Sequence, residues 1–140
     1  HEGISIPNTF IKIPNCNSLL ITDSFDGIVY KMNFNSAWSS VQGIEKWFNL
    51  SCTRATPDGG CISSDGRIFL AIWDGFKVLE LNLDGKLIKE FEIPIPRPTN
   101  CTLNTEENKL FITSAYEGLS DHDRNKYPLS GSILTIDINT

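Results

Sequence analysis

The chain has 140 residues, 40% hydrophobic and 21% charged, the composition of a folded domain with a moderate core and not of a disordered segment. A net charge of −5 and a pI near 4.9 leave no basic stripe to displace counterions from a phosphate backbone, so a nucleic-acid partner is excluded. No apolar run approaches the roughly 20 residues of a membrane helix, and His1-Glu2-Gly3 opens without an apolar signal core, so neither membrane nor export is expected.

The first element is the short apolar run Leu19-Leu20-Ile21-Thr22-Asp23, closed by Asp26-Gly27. A strand of strict alternation follows, with Tyr30, Met32 and Phe34 against Lys31 and Asn33. The second segment repeats the plan: Ile68–Trp73, then Asp74-Gly75, then Leu79, Leu81 and Leu83 against Glu80 and Asn82. The third has Leu110–Thr113, a long polar loop Tyr116–Ser130, then Leu134, Ile136 and Ile138 against Thr135 and Asp137. Period-two alternation sends one set of side chains to a buried face and the other to water. More polar stretches, Glu45–Leu50 and Leu87–Phe91, read as outer strands.

Asp-Gly also stands at 58–59, 65–66 and 84–85. Between apolar runs this dipeptide signals a type I′ hairpin turn, with positive φ at both central residues. No stretch carries a clean helical period, so the chain reads as all-β. Tyr30 and Leu79 stand 49 positions apart, and Leu79 and Leu134 stand 55 apart. Units of that length with four strands each predict a β-propeller, here about three blades with four antiparallel strands per blade, as a single partial domain over 1–140. A small β-sandwich also has short, evenly spaced strands, but it has no blade-length repeat. Three blades form an open half-ring with apolar faces exposed, which predicts closure by a second copy or by a missing N-terminal half.

Cys16, Cys52, Cys61 and Cys101 are widely spaced, and none forms a C-x-x-C pair. That argues against structural zinc and for buried free thiols at Cys61 and Cys101, hence for a cytoplasmic location. Glycosylation-like triplets at Asn49 and Asn100 are of the kind that arise by chance.

Two positions carry candidate chemistry. Asp58-Gly59 is the Asp-Gly preceded by proline and lies just before an innermost strand; Pro7-Asn8 is its counterpart one blade earlier. Equivalent places in successive blades project toward one axis, so Asn8 and Asp58 can reach a common point. Amide and carboxylate oxygens suit a hard cation. Asn and Asp are also common turn formers that bond their own backbone, and on spacing alone both readings stand. Asp121-His122-Asp123 belongs to a solvated polar loop, His1 is terminal, Asp23 reads as structural at a strand end, and Trp73 as packing.

The ordered series Thr56-Pro57-Asp58-Gly59-Gly60-Cys61-Ile62, Asp65–Gly75, Leu83–Leu87, Ile93–Cys101, Leu110–Ala115 and Pro128–Leu134 resembles the regucalcin/gluconolactonase family of sugar-lactone hydrolases. Gly3–Asn8 and Leu20–Ser24 resemble its preceding blade. The resemblance covers nearly the whole chain and implies the C-terminal half of a six-bladed ring with one divalent cation (Ca²⁺, Zn²⁺ or Mn²⁺) in its channel. Carried over, Asn8 and Asp58 are metal ligands and Asp58 is the catalytic base. The family's glutamate ligand and its substrate-contacting arginine and asparagine have no counterpart here. Thr9 stands where the family usually has glycine, although asparagine itself tolerates a left-handed turn. The implied reaction is metal-assisted hydrolysis of a small sugar lactone, with a serine nucleophile neither needed nor signalled. The rival readings are a non-catalytic propeller module for protein association and a related ester or phosphoester hydrolase.

Overall fold

The chain folds as three antiparallel sheets taken in order along the sequence, in a computed structural model that describes residues 2–138. His1 lies outside the described residues. The first sheet has order β1(Pro7–Lys12), β2(Ser18–Asp23), β3(Ile28–Phe34), β4(Val41–Asn49). The second has order β5(Thr56–Ile62), β6(Ile68–Trp73), β7(Lys77–Leu81), β8(Leu87–Glu92). The third joins β9(Pro98–Leu103), β10(Lys109–Ser114) and β11(Ile133–Asp137), so among the described residues this sheet has three strands and not the expected four. Sequential four-stranded meanders stacked face to face are propeller blades. The first strand of the middle blade, β5, contacts β1 on one side and β9 on the other across the blade boundaries, which makes these the innermost strands.

The polar segment 116–130 is not wholly loop: α1(Asp121–Lys126) forms within it, capped by the Ser120 hydroxyl on the Asp123 N–H. Acidic residues in its first turn and basic residues in its last complement the helix dipole, so Asp121 and Asp123 are used by the helix itself.

The apolar runs fill two cores. Between the first and second blades pack Ile11, Leu20, Val29, Leu70, Leu79 and Leu81. Between the second and third pack Phe69, Val78, Phe91, Ile95, Leu110 and Ile112. Each fully buried leucine or isoleucine contributes about 1.5–3 kcal/mol. The second blade is thus covered on both faces, and the simple alternation fails there. β7 is buried along Val78–Leu81, and Glu80, expected to face water, is 6% exposed with Lys89 opposite it in register.

The Asp-Gly turns also differ from the type I′ expectation. At 26–27, 65–66 and 84–85 only the glycine has positive φ, while at 74–75 it is Asp74 that does, followed by Phe76. In Ser63–Arg67 and Asn82–Lys86 the outer residues pair while Gly66 and Gly85 donate back to Ser63 and Asn82. That is a type I turn followed by a left-handed glycine, the three-residue hairpin loop. Gly85 has a second reason to be glycine: a Cβ there would meet the Trp47 carbonyl oxygen at 2.3 Å, where the Trp47 indole N–H donates to the Leu83 carbonyl (3.0 Å).

Candidate functional site

Asp58-Gly59 does not precede the innermost strand, as its turn chemistry suggested; it lies inside β5, and Asn8 lies inside β1. Neither Asn8 nor Asp58 has positive φ, so replacing the family's glycine by Thr9 costs no left-handed turn. What each strand carries is a bulge. Register slips between Pro7 and Phe10 against β2, between Pro57 and Gly60 against β6, and beside Pro98 against β10. Proline donates no ladder hydrogen bond, and a bulge re-aims the side chain that follows it. The following residues are Asn8, Asp58 and Thr99, one per blade. Thr99 instead shares a hydrogen bond with the Thr113 hydroxyl (2.8 Å).

Asn8 and Asp58 meet. The Asn8 side-chain amide Nδ2 donates to Asp58 Oδ1, and the Thr9 hydroxyl donates to the Asp58 backbone carbonyl. One residue back, the Ser24 hydroxyl donates to the Pro57 carbonyl (2.7 Å). Thr9 is itself fixed, since its buried N–H donates to the Thr22 hydroxyl (2.9 Å). Thr9 is the functional neighbour that residue patterns did not single out, because its role depends on a contact 49 positions away. On the other side, a Cβ on Gly59 would lie 2.5 Å from the Asn100 side chain, so this glycine permits the close approach of the third blade.

Asp23 is fully buried at the end of β2. Burial pushes its carboxyl up, but N–H groups of Ser5 (2.7 Å), Ile6 (3.2 Å) and Phe25 (3.1 Å) hold the charged form and bring it below the usual carboxylate range. It orders the segment leading into β1. Asp58 has the opposite environment: burial raises it to about 6, offset only by the Asn8 amide. Its Oδ2 has no hydrogen-bond partner among the described residues.

Asn8 and Asp58 line a cleft of about 470 Å³, together with Ser24, Phe25, Trp73 and Asp74. The Asp74 carboxylate is engaged by Arg97 Nε (2.6 Å), whose guanidinium lies over the Trp73 ring at 4.7 Å and also donates to the Glu117 carbonyl. Trp73 is therefore a cleft wall as well as packing. Asp121, His122 and Asp123 do not line this cleft. All four cysteines are free, Cys101 buried, Cys61 half-buried, and Cys16 and Cys52 exposed.

Among the described residues no three His, Cys, Asp or Glu side chains cluster as a complete metal site. Asn8 and Asp58 nonetheless supply an amide oxygen and a half-buried carboxylate with one unpartnered oxygen and no neighbouring cationic side chain bonded to it. Two hard oxygen donors with no cationic side chain bonded to them fit a divalent cation as part of its ligand set.

Stacked antiparallel meanders whose first strands adjoin one another in turn define a partial β-propeller. The sequence model of the SMP-30/Gluconolactonase/LRE-like region matches residues 1–116, and the chain belongs to that family. It is 25% identical over 121 residues to regucalcin of Xenopus laevis, covering 85% of this chain and 40% of that protein. It is 34% identical over 84 residues to a 6-deoxy-6-sulfogluconolactonase of Pseudomonas putida, covering 59% of this chain and 29% of the relative. The crystal structure of regucalcin, a calcium-binding protein from Agrobacterium tumefaciens, superposes with a TM-score of 0.87 at 23% identity, covering 96% of this chain and 46% of that one. The chain thus spans less than half the length of the relatives it matches. No helix among the described residues is long and apolar enough to cross a membrane.

Proposed function

We propose that this chain is the C-terminal half of a six-bladed, lactonase-like propeller, a single partial domain over 1–140. In that ring Asn8 and Asp58 are two protein ligands of one divalent cation (Ca²⁺, Zn²⁺ or Mn²⁺), and the substrate is a sugar lactone. The observation that carries the reading is the Asn8–Asp58 contact, made across two blades inside the cleft. A divalent cation, when bound, supplies Lewis-acid polarisation of the ester carbonyl.

The chain's own groups do the rest. Asp58, a half-buried carboxylate whose charged form receives one hydrogen bond, from the Asn8 amide, accepts the proton of the attacking water as general base. Asn8 fixes the Asp58 carboxylate by its amide, and Thr9 and Ser24 fix the backbone that carries it. Trp73, held by the Arg97–Asp74 pair, and the exposed Phe25 give an apolar wall for a sugar ring. A reducing, cytoplasmic setting agrees with the four free thiols.

A second reading rests on the two open blade faces. Phe10 on β1 is 67% exposed and Ile133 on β11 is 69% exposed, each beside an apolar hollow. Such faces favour closure by another half-ring, a second copy or the missing N-terminal half, with association itself as the role of the chain.

Hydrolysis of glucono-δ-lactone, followed with Ca²⁺, Zn²⁺ or Mn²⁺ and beside a chelated control, tests the first reading. Turnover that requires one of these cations supports it. Turnover of equal rate in the chelated control would remove the cation from the mechanism. No turnover by the chain alone, with turnover once the other half-ring is supplied, would place the chemistry in the completed ring.

A further inference from the structure

Arg54 also lines the cleft that holds Asn8 and Asp58. It is exposed, and it makes no hydrogen bond or ion pair among the described residues. The other charged groups on the cleft wall are spoken for. Asp74 is bound by Arg97 (2.6 Å), and Asp58 is held by Asn8 and, on the reading above, by a cation. With Asp58 bound to a cation, the uncommitted charge lining this space among the described residues is a guanidinium, in a chain whose net charge is −5.

Its position is set by the backbone on both sides. The Thr53 hydroxyl lies within hydrogen-bond distance of the Leu50 carbonyl (3.0 Å) and the Ala55 carbonyl (2.8 Å), and the Thr53 N–H donates to Leu50 (2.9 Å). Arg54 thus leaves a pinned turn, and the following residues Ala55 and Thr56 lead directly into β5 and Asp58. A planar guanidinium with free N–H groups binds a carboxylate, sulfonate or phosphate through two parallel hydrogen bonds, which a neutral hydroxyl cannot match.

We infer that Arg54 is a specificity-determining residue that selects sugar lactones bearing an anionic substituent away from the ester. The inference rests on the lactone reading of the site. It assigns the reacting ester to the Asn8–Asp58 end of the cleft and the anionic group to the Arg54 side.

The test is calorimetric titration of the full chain, with Ca²⁺ present, using two stable lactams in place of lactones. D-glucono-δ-lactam is neutral, and D-glucaro-δ-lactam carries a carboxylate at the far carbon. The anionic lactam is expected to bind about tenfold more tightly, a difference of about 1.4 kcal/mol. In Arg54→Ala the ratio falls to about one, and in Arg54→Glu the neutral lactam is preferred; Arg54→Lys keeps part of the preference, because charge remains while the fork is lost. Raised salt weakens the anionic lactam's binding and spares the neutral one. Equal binding of both lactams, or a preference unchanged in Arg54→Ala, overturns the inference while leaving the lactone site standing. Binding of neither lactam, by the chain or by the ring completed with its other half, overturns the lactone reading and this inference with it.

Discussion

Asn8 and Asp58, fifty positions apart, meet through one hydrogen bond from the asparagine amide to the aspartate carboxylate at the junction of two blades. Each side chain is delivered by a bulge that follows a proline on an innermost strand. Both side chains line the cleft, and the carboxylate's second oxygen is left for a ligand or a water proton.

Replacing Asp58 should therefore remove catalysis from the completed ring. Asp58→Ala and Asp58→Asn are each expected to lower kcat for a sugar lactone by about 10²–10⁴, the usual contribution of a positioned general base, or more if the cation is lost as well. Asn8→Ala should weaken the apparent affinity for the activating cation more than it lowers kcat at saturating metal. Initial rates across a metal titration separate the two effects; full activity in Asp58→Ala would sink the assignment.

The same carboxylate should cost stability in the absence of metal. Its folded value, about 6, lies above the ordinary 3.8, because burial penalises the charged form. A raised carboxyl contributes stability that is fully present below the ordinary value and is lost as pH rises through about 6. In chelator, Asp58→Asn should unfold at higher urea than the parent at about pH 7.5, and this advantage should vanish by about pH 4. An advantage independent of pH would show that charge burial is not its source.

Strand content and blade repeat were legible in the sequence, because apolar runs such as Ile68–Trp73 and alternating runs such as Tyr30–Phe34 are local signals. Less was legible where a residue's role depends on distant chain. Pro57-Asp58-Gly59 reads locally as a turn, yet it sits in β5, since β6 on one side and β1 and β9 on the others impose extended backbone. Glu80 reads as solvent-facing, and only the stacking of a blade on each side buries it. Arg54 belongs to no motif, and its place in the wall of the cleft that Asp58 also lines follows from the path of the loop between blades.

Gly59 offers a sharp check on that packing. A methyl group there would overlap the Asn100 side chain, so Gly59→Ala should destabilise the chain by about 1–3 kcal/mol. Asn100→Gly frees the space, and the double variant should recover part of the loss; urea midpoints for the cycle give the coupling. Strict additivity would mean that the two blades separate freely at this point.

The Thr9–Thr22 hydrogen bond carries the support of the site into the first blade. Thr22→Val keeps the shape of a fully buried side chain but leaves the buried Thr9 N–H without its acceptor. Loss of about 1–3 kcal/mol is expected, the cost of an unpaired buried donor. Thr9→Val removes the hydroxyl that binds the Asp58 carbonyl. It should cost less stability than Thr22→Val and still reduce the cation affinity of the completed ring. An unchanged cation affinity would show that Asn8 alone positions the carboxylate.

Ring closure follows from the two open faces. Phe10 and Ile133 lie at opposite ends of the three-blade stack, and water-exposed apolar blade faces of this kind are what neighbouring blades cover in a closed propeller. Two copies would supply six blades by a head-to-tail contact repeated twice, which closes on itself and so cannot grow into a filament. Sedimentation equilibrium of the chain is expected to give twice its 15.6 kDa mass, with Phe10→Asp and Ile133→Asp each returning the monomer because each cuts one side of the same contact. A soluble parent monomer would instead mean that the faces await a different half-ring, and adding that half should then shift the mass and bring cation-dependent lactone hydrolysis together.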